Sequence, residues 1–168
     1  MENYNKVYLL AGGNLQNTAE KYQRLFALLE NHIGDIILSS GFYLSEAWGY
    51  KSEYPFINLA ICLHTKLSPE EVMQKTQHIE KLMGRDKKNE KTYTDRSMDI
   101  DIIFYNDLIM QTNSLQIPHP RMQERLFVLY PLCEIASDMM HPVLGKSIQE
   151  LKDSCEDTTE VKIFSFTN

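Results

Sequence analysis

Long apolar runs are missing from the chain, and so is any excess of positive charge. The N-terminal apolar run, residues 7–11, is far too short for the core of a signal sequence or for a membrane span, so a soluble protein is expected. Lysine and arginine number 17 against 23 aspartates and glutamates, and the net charge of −6 argues against a nucleic-acid binder, which would carry a basic footprint. Cysteine is scarce: Cys62, Cys133 and Cys155 are odd in number and lack metal-type spacing, which favours reduced thiols in a cytoplasmic protein. Repeats, low-complexity tracts and interdomain linkers are absent too. At 168 residues, 43% hydrophobic and 24% charged, the expectation is one domain over 1–168 with a real core, acting as a monomer on small molecules.

Residues 6–11 read as a short buried strand stopped by a Gly12-Gly13-Asn14 turn. That turn lacks the lysine and hydroxyl of a P-loop, so a structural role ranks first. Tyr22, Leu25, Phe26, Leu29 and Ile33 then fall on one helical stripe, with Asn17 or Thr18 as N-cap and Gly34 as stop. Residues 36–43 and 56–63 read as strands. The loop 44–55 between them holds the single tryptophan and is either a functional lid or a decorated connection. Ser68-Pro69-Glu70-Glu71 is a capping box with proline at the first helical position, opening a helix that runs to Gly84. Val72, Met73, Thr76, Ile79 and Met83 form its buried stripe, and Met73, Gln77 and Glu80 an edge that could face a cleft. After the strand ending at Tyr105, Asn106-Asp107 reads as a hairpin turn returning through residues 108–110. Two prolines make residues 116–121 an extended loop, Ser147 to Glu150 opens a short helix, and residues 161–166 form a last strand. The order βαββαβ predicts an α+β, ferredoxin-like sandwich with a mainly antiparallel sheet and additional C-terminal helices and strand.

The chemistry concentrates at Arg96-Ser97-Met98-Asp99-Ile100-Asp101-Ile102. Strand side chains alternate, so Asp99 and Asp101 share one face, roughly 6–7 Å apart at Cβ, while Ile100 and Ile102 line the other. Aspartate is a poor strand former, and two on one face repel unless a cation or partner lies between them. Their hard oxygens suit Mg2+ better than zinc, with substrate phosphates and water completing the coordination. Arg85, Lys87, Lys88, Lys91 and Arg96 lead into this strand. Alone the run would be a solvated loop, but beside two carboxylates it makes a clamp on a metal-bound polyphosphate. His119, between Pro118 and Pro120, could donate to phosphate, although most single histidines do not. These residues alone leave open a nucleotidyltransferase, another Asp-x-Asp metal enzyme or a non-catalytic ligand-binding module.

Taken together, Gly12-Gly13-Asn14-Leu15, Phe56-Ile57-Asn58, Thr76 to Glu80, Gly84-Arg85, Arg96 to Ile102, Pro118-His119 and Arg125-Leu126-Phe127 resemble the 6-hydroxymethyl-7,8-dihydropterin pyrophosphokinases nearly end to end. The resemblance implies a ferredoxin-like fold and transfer of pyrophosphate from ATP to the pterin hydroxymethyl group, with release of AMP, in folate biosynthesis. It implies that Asp99 and Asp101 bind two Mg2+ ions and that Arg85, Arg96 and His119 contact the ATP phosphates, Arg85 and Arg96 serving catalysis with the two aspartates. It places the pterin between Phe56 and Phe127, read by Asn58 and by the backbone around Ser45 and Trp48. It assigns Gln77, Ile102 and Met73 to the nucleotide side and Glu80 and Arg125 to support of the site. For Phe56 and Phe127, core packing is the alternative. The chain departs from the family pattern at Thr94-Asp95, where a small pair is usual and where Asp95 sets a negative charge beside Arg96; at Lys87, often a second arginine; and at Ser114 and Gln116, which receive no role.

Overall fold

The computed structural model describes residues 2–84 and 95–167. The chain builds β1 (Asn5–Gly13), α1 (Ala19–His32), β2 (Gly34–Ser39), β3 (Phe42–Ser45), β4 (Phe56–Thr65), α2 (Pro69–Leu82), β5 (Asp99–Tyr105), β6 (Met110–Gln111), β7 (Gln116–Ile117), α3 (Leu126–Ala136), α4 (Ile148–Asp153) and β8 (Val161–Phe164). The main sheet runs β5-β1-β4-β3-β8, with β2 also on β4, and its pairs are antiparallel. If β2 and β3 count as one interrupted strand, this is the ferredoxin-like order, extended at one edge by β8.

Strand alternation divides the sheet into two faces. Val7, Leu9, Ile57, Leu59, Ile61, Ile100 and Ile102 pack under α1 and α2, against Tyr22, Leu25, Leu29, Val72 and Ile79. Tyr8, Leu10, Ala60, Cys62, Ile103 and Phe104 pack under α3 and α4, against Val128, Leu129, Leu132, Ile148 and Leu151. Each fully buried aliphatic side chain contributes about 1.5–3 kcal/mol, so the two layers fix the sheet from both sides. The helix starts agree with the sequence: Thr18 accepts from the Lys21 amide, and Ser68 and Ser147 close capping boxes with Glu71 and Glu150.

Three expectations change. Gly12 and Gly13 do not turn the chain; they are the last residues of β1, opposite Asn58 and Ile57 of β4. They are glycine because other chain lies against them: a Cβ on Gly12 would sit 2.1 Å from Asn58 Oδ1, and one on Gly13 would sit 2.2 Å from the Ser97 carbonyl oxygen. The strand expected over 36–43 is broken at Ser40-Gly41, where the Ser40 hydroxyl accepts from the Ala60 amide at 2.9 Å and Glu134 accepts from the Gly41 amide at 2.7 Å. The side chains thus satisfy backbone donors that the interruption exposes. The return after Asn106-Asp107 leaves β5 altogether, and β6 pairs with β7, inside the segment expected to be all loop. Among the described residues, no helix is long and apolar enough to cross a membrane.

Candidate active site

The helices α3 and α4 cover only part of their face of the sheet. On that face β1, β4 and β5 present the row Asp99, Gly12, Asn58, with Asp101 beside Leu10 two pairs further in. On β5, Ile100 and Ile102 are buried in the α1–α2 layer and leave Asp99 and Asp101 half-buried on the opposite face. The sequence-level placement of the two carboxylates therefore agrees with the strand geometry. Gly12 lies between Asp99 and Asn58 in the row, and on that floor the Asn58 side chain fills the place a Cβ would take.

Two cavities meet over that floor. The first is a slot of about 80 Å3 lined by Phe56, Asn58, Ser45, Trp48, Tyr50 and Phe127, with Glu46, Leu10 and Gly12 completing it. The second is a broader cleft of about 640 Å3 between α2, β5 and the β6–β7 hairpin. Met73, Gln77 and Glu80 face it from α2, and Ile102 and His119 from the other side, so the polar edge anticipated on that helix does look into a cleft. Arg96, Asp99, Asp101 and Arg125 line both. The carboxylates are the seam between the cavities.

The slot is flat-walled and incompletely satisfied. Tyr50 meets Phe56 edge to face at 6.4 Å, and both rings line the slot. Buried Ser45 Oγ and Arg125 Nε have no hydrogen-bond partner among the described residues. Buried polar atoms normally find partners, and one left without costs about 1–3 kcal/mol, so these two favour a ligand with polar edges. The Arg125 guanidinium lies 4.5 Å from the Trp48 ring centre and 5.7 Å from that of Phe127, and Arg121 lies 4.4 Å from Trp48. Trp48 thus belongs to the wall between slot and cations.

His119 is set by its backbone and neighbours. Its amide donates to Ile103 O at 3.0 Å, tying the segment to β5, and its Nδ1 accepts from the Arg121 amide at 3.2 Å. Burial, with Arg125 and Arg121 nearby and against the pull of Asp99, pushes its pKa down to about 4. The ring is therefore neutral near pH 7, with Nε2 as its donor. Arg96 is placed by its main chain: its amide donates to Asn14 Oδ1 at 2.7 Å, and its carbonyl accepts from the Asn14 and Leu15 amides. Asp95 does not simply set a charge beside Arg96, because its Oδ1 accepts from Ser52, Asn14 and Tyr50.

The structure thus brings together every assigned residue that it describes. Arg85, with Lys87, Lys88, Lys91 and Thr94, lies outside the described residues. Sequence reasoning missed Glu46 and Tyr50, which line the slot, and Arg121, which lies over Trp48; it gave no role to Ser114 and Gln116, which line the cleft beside Thr112 and Asn113. Tyr50 had a signal in its position within the tryptophan-bearing loop; Ser114 and Gln116 stand where the resemblance expects residues of other types near the nucleotide, and for that reason received no role.

A family model described as 7,8-dihydro-6-hydroxymethylpterin-pyrophosphokinase (HPPK) matches residues 8–137. A 2-amino-4-hydroxy-6-hydroxymethyldihydropteridine pyrophosphokinase of Porphyromonas gingivalis is 36% identical over 138 residues, 81% of this chain and 93% of that protein. The folic acid synthesis protein FOL1 of Dictyostelium discoideum is 38% identical over 151 residues, 88% of this chain but 22% of the longer relative. Wild-type Plasmodium falciparum HPPK-DHPS, solved with pteroate, superposes with a TM-score of 0.71 over 91% of this chain and 43% of that one. At 17% identity this last likeness bears on the fold alone, and the chain spans less than half of that protein.

Proposed function

Because the chain belongs to the 7,8-dihydro-6-hydroxymethylpterin-pyrophosphokinase family, we propose that its slot takes the pterin, its broad cleft takes ATP, and Asp99 and Asp101 hold Mg2+ where the two meet. The reaction is transfer of pyrophosphate from ATP to the hydroxymethyl group of 6-hydroxymethyl-7,8-dihydropterin, a step of folate synthesis. The observation that carries the site reading is the shared lining: Arg96, Asp99, Asp101 and Arg125 border both cavities, so a group leaving one can pass to the other without crossing solvent.

Within the slot, Phe56 and Phe127 stack on the faces of the pterin, while Asn58 and Ser45 meet its hydrogen-bonding edge and Trp48 closes the side. In the cleft, Gln77, Met73 and Ile102 border the nucleotide, and Glu80, buried on α2, supports that wall. Arg96 offers a fork to phosphate oxygens, and neutral His119 donates from Nε2. Arg85 is assigned to the same phosphates from its sequence position.

The donor set fits magnesium. No cluster of three or more His, Cys, Asp or Glu side chains that could hold a metal occurs among the described residues. Two carboxylates facing a phosphate cleft leave the remaining positions to phosphate and water, which suits Mg2+ and not a structural zinc. When bound, two such ions supply charge neutralisation to the polyphosphate. The chain's own part is to hold the acceptor hydroxyl in line with the β-phosphorus, to balance negative charge with Arg96 and Arg85, and to keep water out by the loop over the slot. The hydroxyl gives up its proton as its oxygen bonds to the β-phosphorus, the bond from that phosphorus to the bridging oxygen on the α side breaks, and AMP departs carrying that oxygen. We also propose that the enzyme is cytoplasmic, in keeping with its free cysteines, and acts as a monomer.

Incubating the protein with ATP, Mg2+ and 6-hydroxymethyl-7,8-dihydropterin should give pterin-dependent AMP, lost by at least about a thousandfold in Asp101→Ala. Release of pyrophosphate would instead identify a nucleotidyltransferase, and absence of turnover a binding module.

A further inference from the structure

Asn14 and Asp95 form a junction that the catalytic assignment does not use. Asn14 is 4% exposed and ends the β1 path. Its Oδ1 accepts from the Arg96 amide at 2.7 Å, and its Nδ2 donates to Asp95 Oδ1 at 2.7 Å and to the Tyr54 carbonyl at 3.0 Å. The same Asp95 oxygen accepts from Ser52 Oγ at 2.6 Å and Tyr50 OH at 3.2 Å. Ser52 Oγ also accepts from the Tyr54 amide at 3.1 Å. Two segments far apart in sequence are thereby clasped. One is the loop that carries Trp48 and Tyr50 over the slot and leads into Phe56; the other delivers Arg96 to the seam.

We propose that Asp95 is a positioning residue that couples the two substrate sites: its carboxylate fastens the roof of the pterin slot to the segment bearing Arg96. The inference rests on the reading of slot and cleft given above. Tyr50 is the transmitting side chain, since its hydroxyl donates to Asp95 while its ring meets Phe56 at 6.4 Å. A ring that fills the slot fixes Phe56 and Tyr50, and through Asp95 it fixes the backbone from which Arg96 projects. A nucleotide held by Arg96 does the reverse, because a coupling free energy between two sites is reciprocal. The hydroxyl and amide donors also draw the Asp95 carboxyl below its usual range, the Ser52 hydrogen bond most, so the clasp keeps an ionised acceptor near pH 7. Alanine has no acceptor to offer. Asparagine keeps an oxygen but loses the charge.

The test is the affinity of the dihydropterin measured by calorimetry with and without Mg2+ and α,β-methylene-ATP, whose α–β bridge cannot be cleaved. In the unmodified protein the nucleotide should tighten pterin binding at least about fivefold. In Asp95→Ala that ratio should fall to within about twofold of one, and Asp95→Asn should lie between. The double variant Ser52→Ala/Tyr50→Phe, which leaves Asp95 in place, should give the same loss. A merely structural role would lower both affinities or the melting temperature and leave the ratio alone. A ratio retained in Asp95→Ala, or absent in the unmodified protein, overturns the coupling. Failure of the functional reading shows separately, as no pterin-dependent AMP. Even then the clasp is decided by amide exchange without ligands: Ser52→Ala/Tyr50→Phe should speed exchange at the Arg96 amide, and an unchanged rate refutes the link.

Discussion

Gly13→Ala should damage both stability and turnover, and by amounts that follow from one contact. The added methyl carbon would lie 2.2 Å from the Ser97 carbonyl oxygen and 2.6 Å from that of Arg96. Both obstacles are backbone, so no side chain can rotate away. Restoring an ordinary separation of about 3.2 Å requires roughly 1 Å of movement between the end of β1 and residues 96–97. Forced overpacking of this kind costs about 1–3 kcal/mol. At about 2–4 °C per kcal/mol for a chain of this size, the melting temperature should fall by about 2–12 °C. The displaced chain is the one that positions Arg96 and feeds Asp99, and a 1 Å misplacement of a catalytic group can cost about a hundredfold. The assay is AMP release at a temperature where the variant is fully folded by circular dichroism. Gly41→Ala is the control, since its nearest neighbour is Glu134 Oε1 at an ordinary 3.6 Å. A Gly13→Ala protein with unaltered melting temperature and near-normal turnover would refute the close-approach reasoning.

Two other outcomes are expected. Phe127→Ala removes one wall of the slot while leaving the cleft intact, so the pterin KM should rise about tenfold or more with little change in that for ATP; parallel changes in both would count against the division into two cavities. His119, with its folded pKa pushed to about 4, should show no imidazole titration by NMR between pH 8 and 5. Its unfolded form takes up a proton below about 6.5, so the group's stability contribution is complete above that pH and drains as pH falls toward 4. The loss should be on the order of 3 kcal/mol, and His119→Gln should flatten that part of a urea-derived stability profile; an unchanged slope would be the contrary result. His141, whose pKa is also lowered by burial, acts in the same direction and remains in both proteins.

Local patterns carried the two carboxylates and the helix starts, whereas the slot residues Phe56, Asn58 and Phe127 were assigned through the family resemblance. The alternation through Asp99, Ile100, Asp101 and Ile102 fixed which face each residue takes, because burial of the isoleucines leaves the aspartates a single direction. The capping boxes at Ser68 and Ser147 marked helix starts by chemistry that is complete within four residues. What could not be read depends on partners distant in sequence. Gly12 and Gly13 signal either a free backbone or a crowded one, and only the approach of Asn58 and Ser97 distinguishes them. The break at Ser40-Gly41 depends on Ala60 and Glu134, and the meeting of Arg121 with Trp48 joins two loops far apart in sequence. Asp95 is similar: adjacent to Arg96 in sequence, it suggested a weakened positive field, yet its oxygen is engaged by Asn14, 81 residues away.

The bulge in β5 bears on how the site survives folding errors. Between Tyr8 and Leu9 the partner on β5 jumps from Phe104 to Ile102, so Ile103 is an extra residue and lies on the same face as Phe104. The two stretches on either side therefore carry independent face assignments, each pinned by its own buried side chains. Slippage of the first stretch by one residue would turn Asp99 and Asp101 into the layer occupied by Val72 and Ile79, and carry Ile100 and Ile102 out of it. Burying carboxylates without partners costs several kcal/mol each, comparable to the whole margin by which a domain stays folded. A molecule that has acquired its native core has thus already turned both carboxylates onto the face where the slot and the cleft meet.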